Sequence, residues 1–116
     1  MHELSIASAI AQVAESQAAG RRVVGVHVRV GHLRQVVPSA LDFAFELVTQ
    51  GTVLDGTQLE LEQVPAAGVC RDCGAQTSLP QFPLRCARCG SLDVDVTAGE
   101  ELTVEELEIE EEEVAA

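Results

Sequence analysis

Apolar residues near the start of the chain recur at helical spacing. Leu4, Ala7, Ala11 and Ala14, with Ile6, Ile10 and Val13 beside them, repeat at three and four positions and predict an amphipathic helix over residues 3–19. Gly20 ends it, and Arg21 and Arg22 fall where the helix terminus is negative. The period then changes to two. Val24, Val26, Val28 and Val30 alternate as a strand with one buried face, closed by Gly31. Pro38 opens a second helical pattern carried by Leu41, Ala44, Phe45 and Val48, which stops near Gly51. After an Asp55-Gly56 turn, Leu59 and Leu61 alternate with Glu60 and Glu62 as a second strand ending before Pro65. Alternation resumes at Leu102 and Val104, then at Leu107 and Ile109. The phase slips by one at Glu105-Glu106, where a β-bulge would return the apolar residues to a single face.

The order α-β-α-β, an insertion, then β predicts an α+β fold with two helices packed on one face of a three-stranded sheet. The body is assigned to residues 1–66 and 99–116, and the insertion to residues 67–98. A chain of 116 residues suits one such domain carrying a small module. With three Phe and no Tyr or Trp, the core must come from Val, Leu, Ile and Ala. The net charge of −12 is uneven: −3 over residues 1–66, 0 over residues 67–99 and −9 over residues 100–116. Such acidity argues against a nucleic-acid or anionic-membrane partner. The start carries no basic region and no apolar run approaches a membrane span, which points to a cytoplasmic protein.

Candidate chemistry sits first in the insertion. Cys70, Cys73, Cys86 and Cys89 are the only cysteines, arranged as two Cys-x2-Cys pairs, each followed by Gly (Gly74 and Gly90). A Cys-x2-Cys turn aims two sulfurs at one point, and the Gly relaxes the backbone behind it. Two turns joined by a short hairpin place four thiolates in a tetrahedron, the set that Zn(II) favours. The stretch between them contains Pro80 and Pro83 and can build little core, so metal must supply folding energy. The module therefore reads as zinc-ribbon-like. Disulfides are disfavoured without a secretory signal, and a redox dithiol needs one pair rather than two. With four protein ligands the zinc has no open position and is structural.

The second candidate is the terminus, Met1-His2-Glu3. His2 is too bulky to permit removal of Met1, so a free amine is expected there. That amine, the His2 amide nitrogen and the His2 Nδ1 close a five- and a six-membered chelate ring in one plane. A planar nitrogen set suits Ni(II) or Cu(II) rather than Zn(II) or Mg(II). Glu3 can complete the square through its amide or carboxylate. Its ordinary role would be helix stabilisation, since a carboxylate in a first turn favours the dipole. His27 and His32 are conceivable further ligands, but isolated histidines without a partner at useful spacing read as surface residues.

Taken in order, these motifs resemble the HypA/HybF family, nickel-insertion chaperones of nickel–iron hydrogenase maturation. The matching residues are Met1-His2-Glu3, Val37-Pro38, Leu41-Asp42-Phe43-Ala44-Phe45-Glu46, Gly51-Thr52, both Cys-x2-Cys-Gly turns, and Gly99-Glu100-Glu101-Leu102. The resemblance runs from Met1 to about Ile109. Family members often carry Pro after the third cysteine, where this chain has Ala87. The resemblance implies nickel bound by Met1, His2 and Glu3 as transient cargo, and zinc held by the four cysteines. It implies delivery to the hydrogenase large-subunit precursor with a HypB-type GTPase, with urease maturation factors as further partners in some members. The residues show no nucleophile triad, no His-x-Glu beside the cysteines and no phosphate-binding Gly loop, so an enzyme is not expected. Rival readings are a zinc-ribbon interaction module without nickel and a redox dithiol.

Overall fold

A computed structural model describes residues 2–110. The elements are α1 (Glu3–Ala18), β1 (Val23–Gly31), α2 (Pro38–Thr49), β2 (Gln58–Val64), β3 (Ala67–Cys70), β4 (Gln76–Ser78), β5 (Val94–Ala98) and β6 (Leu102–Ile109). A short 3-10 turn, His32–Arg34, follows β1. Strands β2, β1 and β6 form one three-stranded sheet in that order, and β4, β3 and β5 form a second. The described chain divides into two compact units, one of residues 2–28, 36–62 and 103–110, the other of residues 29–35 and 63–102.

In the first unit α1 and α2 pack together on one face of the β2-β1-β6 sheet, the α+β arrangement that the alternating patterns imply. The core stripe of α1 is Ala7, Ile10, Ala11, Ala14 and Ala18, mostly alanines that let a neighbouring element approach closely. Leu4 and Val13 stay outside, at 57% and 47% exposure. α2 buries Leu41, Ala44, Phe45 and Thr49, while Phe43 remains 62% exposed. The Thr49 hydroxyl donates to the Phe45 carbonyl at 2.7 Å, which satisfies a buried polar group inside the helix. Both helix ends follow local rules. Ala19 adopts a left-handed conformation after α1, and Arg21 Nε donates to the Ala18 carbonyl at 2.8 Å. Pro38 occupies the first turn of α2, where its missing N–H is not needed.

Val26, Val28 and Val30 of β1 are buried as the alternation requires, but at the strand's start Val23 is buried and Val24 only half-buried. Val23 is fixed there by its amide, which donates to the Val53 carbonyl at 3.0 Å. Along β6 the exposure pattern slips at Glu105-Glu106, two consecutive exposed residues between half-buried Val104 and Leu107. The sheet's other face carries Gly25, where a Cβ would stand 2.9 Å from Glu108 Oε2. Beyond Glu110, the Glu-rich end lies outside the described residues.

The second unit has a much smaller interior, built on Val30, Val64, Ala66, Leu79, Cys70 and Cys86. Its chain segments approach closely at glycines. A side chain on Gly31 would overlap the Gly99 carbonyl, and one on Gly68 would overlap that of Asp95. Phe82 and Leu92 are 53% and 63% exposed, so two of this unit's larger apolar side chains stand in solvent while Leu79 fills its interior.

Candidate metal centre

The four cysteines lie on two turns of matching construction. In the first, the Cys70 amide donates to the Ala75 carbonyl at 2.9 Å and the Gly74 amide to the Cys70 carbonyl at 2.8 Å. In the second, the Cys86 amide donates to the Ser91 carbonyl and the Gly90 amide to the Cys86 carbonyl, both at 2.8 Å. Gly74 and Gly90 take φ of +73° and +77°, the left-handed conformation that such a turn needs and that glycine adopts without strain.

All four sulfurs lie within 4.8 Å of one another. Cys70 Sγ is 3.5 Å from Cys89 Sγ, and Cys73 Sγ is 3.7 Å from Cys86 Sγ. Bonds of about 2.3 Å to a tetrahedral ion separate sulfurs by roughly 3.8 Å, close to the two shorter distances, so the cluster is of a size to hold one four-thiolate ion. The cysteines are free thiols rather than disulfides. Cys70 and Cys86 are buried, whereas Cys73 and Cys89 face solvent.

The electrostatics of the two sulfurs on the second turn diverge. The Cys89 amide, 3.5 Å away, lowers the Cys86 thiol, the Arg88 amide at 3.4 Å reinforces it, and the group falls to about 6. For Cys89 the Ser91 amide pulls downward, but the Cys70 sulfur, desolvation and the Cys73 and Cys86 sulfurs together raise it to about 12. Four thiols this close cannot all ionise unaided, because each new negative charge opposes the next. A divalent cation removes that conflict, which is the electrostatic case for a metal here.

Polar links tie the two turns to each other and to the neighbouring strands. Arg71 bonds Asp95, sits 3.8 Å from Asp93, and its amide donates to the Asp93 carbonyl at 2.9 Å. The hydrogen bond to Asp95 holds the Arg71 guanidinium above its usual range and the Asp95 carboxyl below its own. Being solvent-exposed, the ion pair itself contributes little stability. The Ser91 hydroxyl donates to the Asp72 carboxylate, and the Ala87 amide donates to Thr77 Oγ1 at 2.9 Å. None of these partners was legible in the sequence, because they lie far apart along the chain and carry no local pattern.

At the other candidate site, His2 is exposed and stands at the N-cap position of α1 without making a side-chain capping bond. Glu3 lies in the first turn. Met1, the third residue of the expected nickel set, lies outside the described residues. Among the described residues the four cysteines are the one group of His, Cys, Asp or Glu placed to share an ion. His27 Nδ1 is 3.9 Å from Glu60 Oε2, and His32 Nε2 is 3.0 Å from the Pro80 carbonyl, so each ring has a neighbour outside that group. No helix among the described residues is long and apolar enough to cross a membrane.

Fold and site together define a small α+β protein whose second unit carries a four-cysteine cluster able to hold a metal ion. Residues 1–109 match the family model described as hydrogenase/urease nickel incorporation, metallochaperone, HypA, and the chain belongs to this HypA family. It is 46% identical over 110 residues to the hydrogenase maturation factor HypA of Geotalea uraniireducens, covering 95% of this chain and all of that protein. It is 43% identical over 115 residues to the corresponding factor of Geobacter metallireducens, with the same coverage of both chains. Among solved structures, the solution structure of the nickel metallochaperone HypA from Helicobacter pylori superposes with a TM-score of 0.69 over 94% of this chain and 97% of that one. At 24% identity that likeness speaks for the fold. A second solution structure of a HypA protein superposes with a TM-score of 0.63 at 25% identity, over 94% of this chain and 96% of that one. The family is one of nickel-incorporating maturation factors, as the sequence resemblance implied.

Proposed function

We propose that this protein carries Ni(II) at its N-terminus and delivers it to the large-subunit precursor of a nickel–iron hydrogenase, with Zn(II) held structurally by Cys70, Cys73, Cys86 and Cys89. The observation that carries the nickel assignment is the exposed His2 on the first residue ahead of α1, its imidazole uncommitted to capping, in a chain whose family match begins at residue 1. Met1 supplies its amine, His2 its amide and imidazole nitrogens, and Glu3 an amide or carboxylate contact. A planar nitrogen set of this kind favours Ni(II) and leaves Zn(II) to the sulfurs.

The placement suits a carrier. A site made of one side chain and main-chain nitrogens at a helix start can open by local fraying while the Ile10–Leu41–Phe45 core stays folded. Protons compete for the amine, amide and imidazole, so nickel affinity falls as pH falls. The zinc module supplies no open coordination position and performs no chemistry; the protein acts as a cytoplasmic chaperone rather than an enzyme. Its partners are a HypB-type GTPase and the hydrogenase precursor, with urease maturation factors as a further destination. The net charge of −12 speaks against nucleic acid and anionic membrane as partners.

The test is nickel titration of zinc-loaded protein with an unmodified terminus, of His2→Ala, and of protein acetylated at Met1. The reading expects one planar Ni(II) per chain in the first and loss of that species in the other two. Undiminished planar nickel uptake after acetylation would overturn it. Zinc content serves as the internal control, since neither change touches a cysteine.

A further inference from the structure

The two cysteine turns are not held equally. The first is mounted on a strand ladder: β3 ends at Cys70 and β4 begins at Gln76, with Val69 opposite Gln76, Gly68 opposite Thr77 and Ala67 opposite Ser78. Cys70 also pairs with Val94 of β5. Backbone pairing therefore fixes Cys70 and Cys73 from both sides. The second turn follows residues 79–85, which form no strand and include Pro80 and Pro83. Its bonds from Cys86 to Ser91 and from Gly90 to Cys86 are internal, so they shape the turn without placing it.

The C-terminal end of that turn is tied by the Arg71 amide, which donates to the Asp93 carbonyl at 2.9 Å just ahead of β5; the rest of the turn is reached by two side-chain tethers. One is the exposed Ser91–Asp72 bond at the rim. The other is the Thr77 hydroxyl, which accepts from the Ala87 amide at 2.9 Å and lies on a residue only 7% exposed. The hydroxyl also donates its own proton to the Ser78 carbonyl at 3.2 Å, so it is engaged both as donor and as acceptor. Shielding from water strengthens such a bond relative to the one at the rim. Thr77 is the one inward-facing residue of β4, where valine would fill the same volume and suit a strand equally well. The oxygen, rather than the shape, is what distinguishes the residue. Ala87 lies between two sulfur ligands, so holding its amide orients both Cys86 and Cys89.

We infer that Thr77 is a positioning residue for the metal site: its hydroxyl, bonded to the Ala87 amide, orients the second cysteine turn and so sets how fast zinc leaves. The inference rests on the zinc assignment above. Groups that orient metal ligands from behind typically change metal affinity by about 10- to 100-fold when removed.

The experiment uses the full chain loaded with zinc, as wild type, Thr77→Val, Thr77→Ser and the control Val96→Ala, which trims a half-buried side chain on β5. Two quantities are read: the rate of zinc transfer to excess chelator, and hydrogen exchange of the Ala87 amide by NMR. Thr77→Val is expected to release zinc about tenfold faster and to lose protection at Ala87, the lower end of the range for such ligand-orienting groups. Thr77→Ser keeps the acceptor and should stay within about twofold of wild type on both readouts, as should Val96→Ala. Wild-type release from Thr77→Val, release from Thr77→Ser as fast as from Thr77→Val, or equal acceleration by Val96→Ala would each overturn the inference. So would an unprotected Ala87 amide in the wild type, a measurement that does not need the valine variant to fold. A wild type that holds no zinc at all would overturn the zinc assignment first, and is distinguished by metal content alone.

Discussion

Leu79→Ala offers a direct measure of how far folding and metal binding are one equilibrium. Leu79 is fully buried and is the largest apolar side chain enclosed in the second unit; its companions Val64 and Ala66 are smaller, and Phe82 and Leu92 contribute mainly to the surface. Truncating a buried leucine removes its transfer energy and leaves a cavity, together about 2–5 kcal/mol. With so little apolar interior, the metal-free unit has no reserve to absorb a loss of about 3 kcal/mol, and the loss is taken from metal binding instead. At about 1.4 kcal/mol per decade that is roughly a hundredfold fall in apparent zinc affinity, although Leu79 is itself no ligand. The assay is competition against a chelator of known affinity at fixed pH. Full zinc stoichiometry with a hundredfold weaker constant is the expected result. Wild-type zinc affinity in Leu79→Ala would refute the reasoning, because it would mean that the module is already folded without metal.

Three further outcomes are expected. On the zinc assignment proposed above, zinc capture by the metal-free protein displaces, among others, the proton that Cys89 retains at neutral pH, its thiol being raised to about 12, and below about pH 6 a further proton, from Cys86, must also be displaced. Zinc affinity therefore falls as pH falls, more steeply below that point, and calorimetry in buffers of different ionisation enthalpy counts the protons; a count independent of pH would contradict the thiol assignments. Gly31→Ala sets a methyl group against the Gly99 carbonyl and should destabilise the second unit by at least the roughly 1–3 kcal/mol typical of overpacking, read by thermal unfolding; an unchanged midpoint would show that the segments can part freely. Ile10→Ala empties a site only 2% exposed beneath α1 and should lower global stability by about 2–5 kcal/mol in denaturant, while leaving the zinc stoichiometry at one per chain.

The two cysteine turns are local, and therefore visible without coordinates. Cys-x2-Cys-Gly needs only a turn and a left-handed glycine, both of which depend on neighbours in sequence, and Gly74 and Gly90 adopt that conformation. The helix limits were equally local: Ala19 with Gly20 ends α1 and Pro38 starts α2 within a residue or two of where periodicity and breakers put them.

Choices between faces required the tertiary structure. Periodicity made Leu4, Val13 and the alanines of α1 equally eligible for the core, yet the alanines were buried, because closeness of packing favours small side chains where elements cross. Val23 displaced Val24 at the head of β1 through a backbone bond to Val53, far away in the chain. The second sheet, β4-β3-β5, was unforeseen for the same reason. Its strands are too short to show a period, and their register depends on glycine contacts between distant segments. Pairwise links such as Thr77 with Ala87 or Arg71 with Asp95 exist only once the chain has closed its loops. Sequence alone thus nominated the atoms of a type to bind metal, since that is a matter of residue type and near spacing. Folding decided how firmly each of those atoms is held, since that depends on partners brought in from elsewhere.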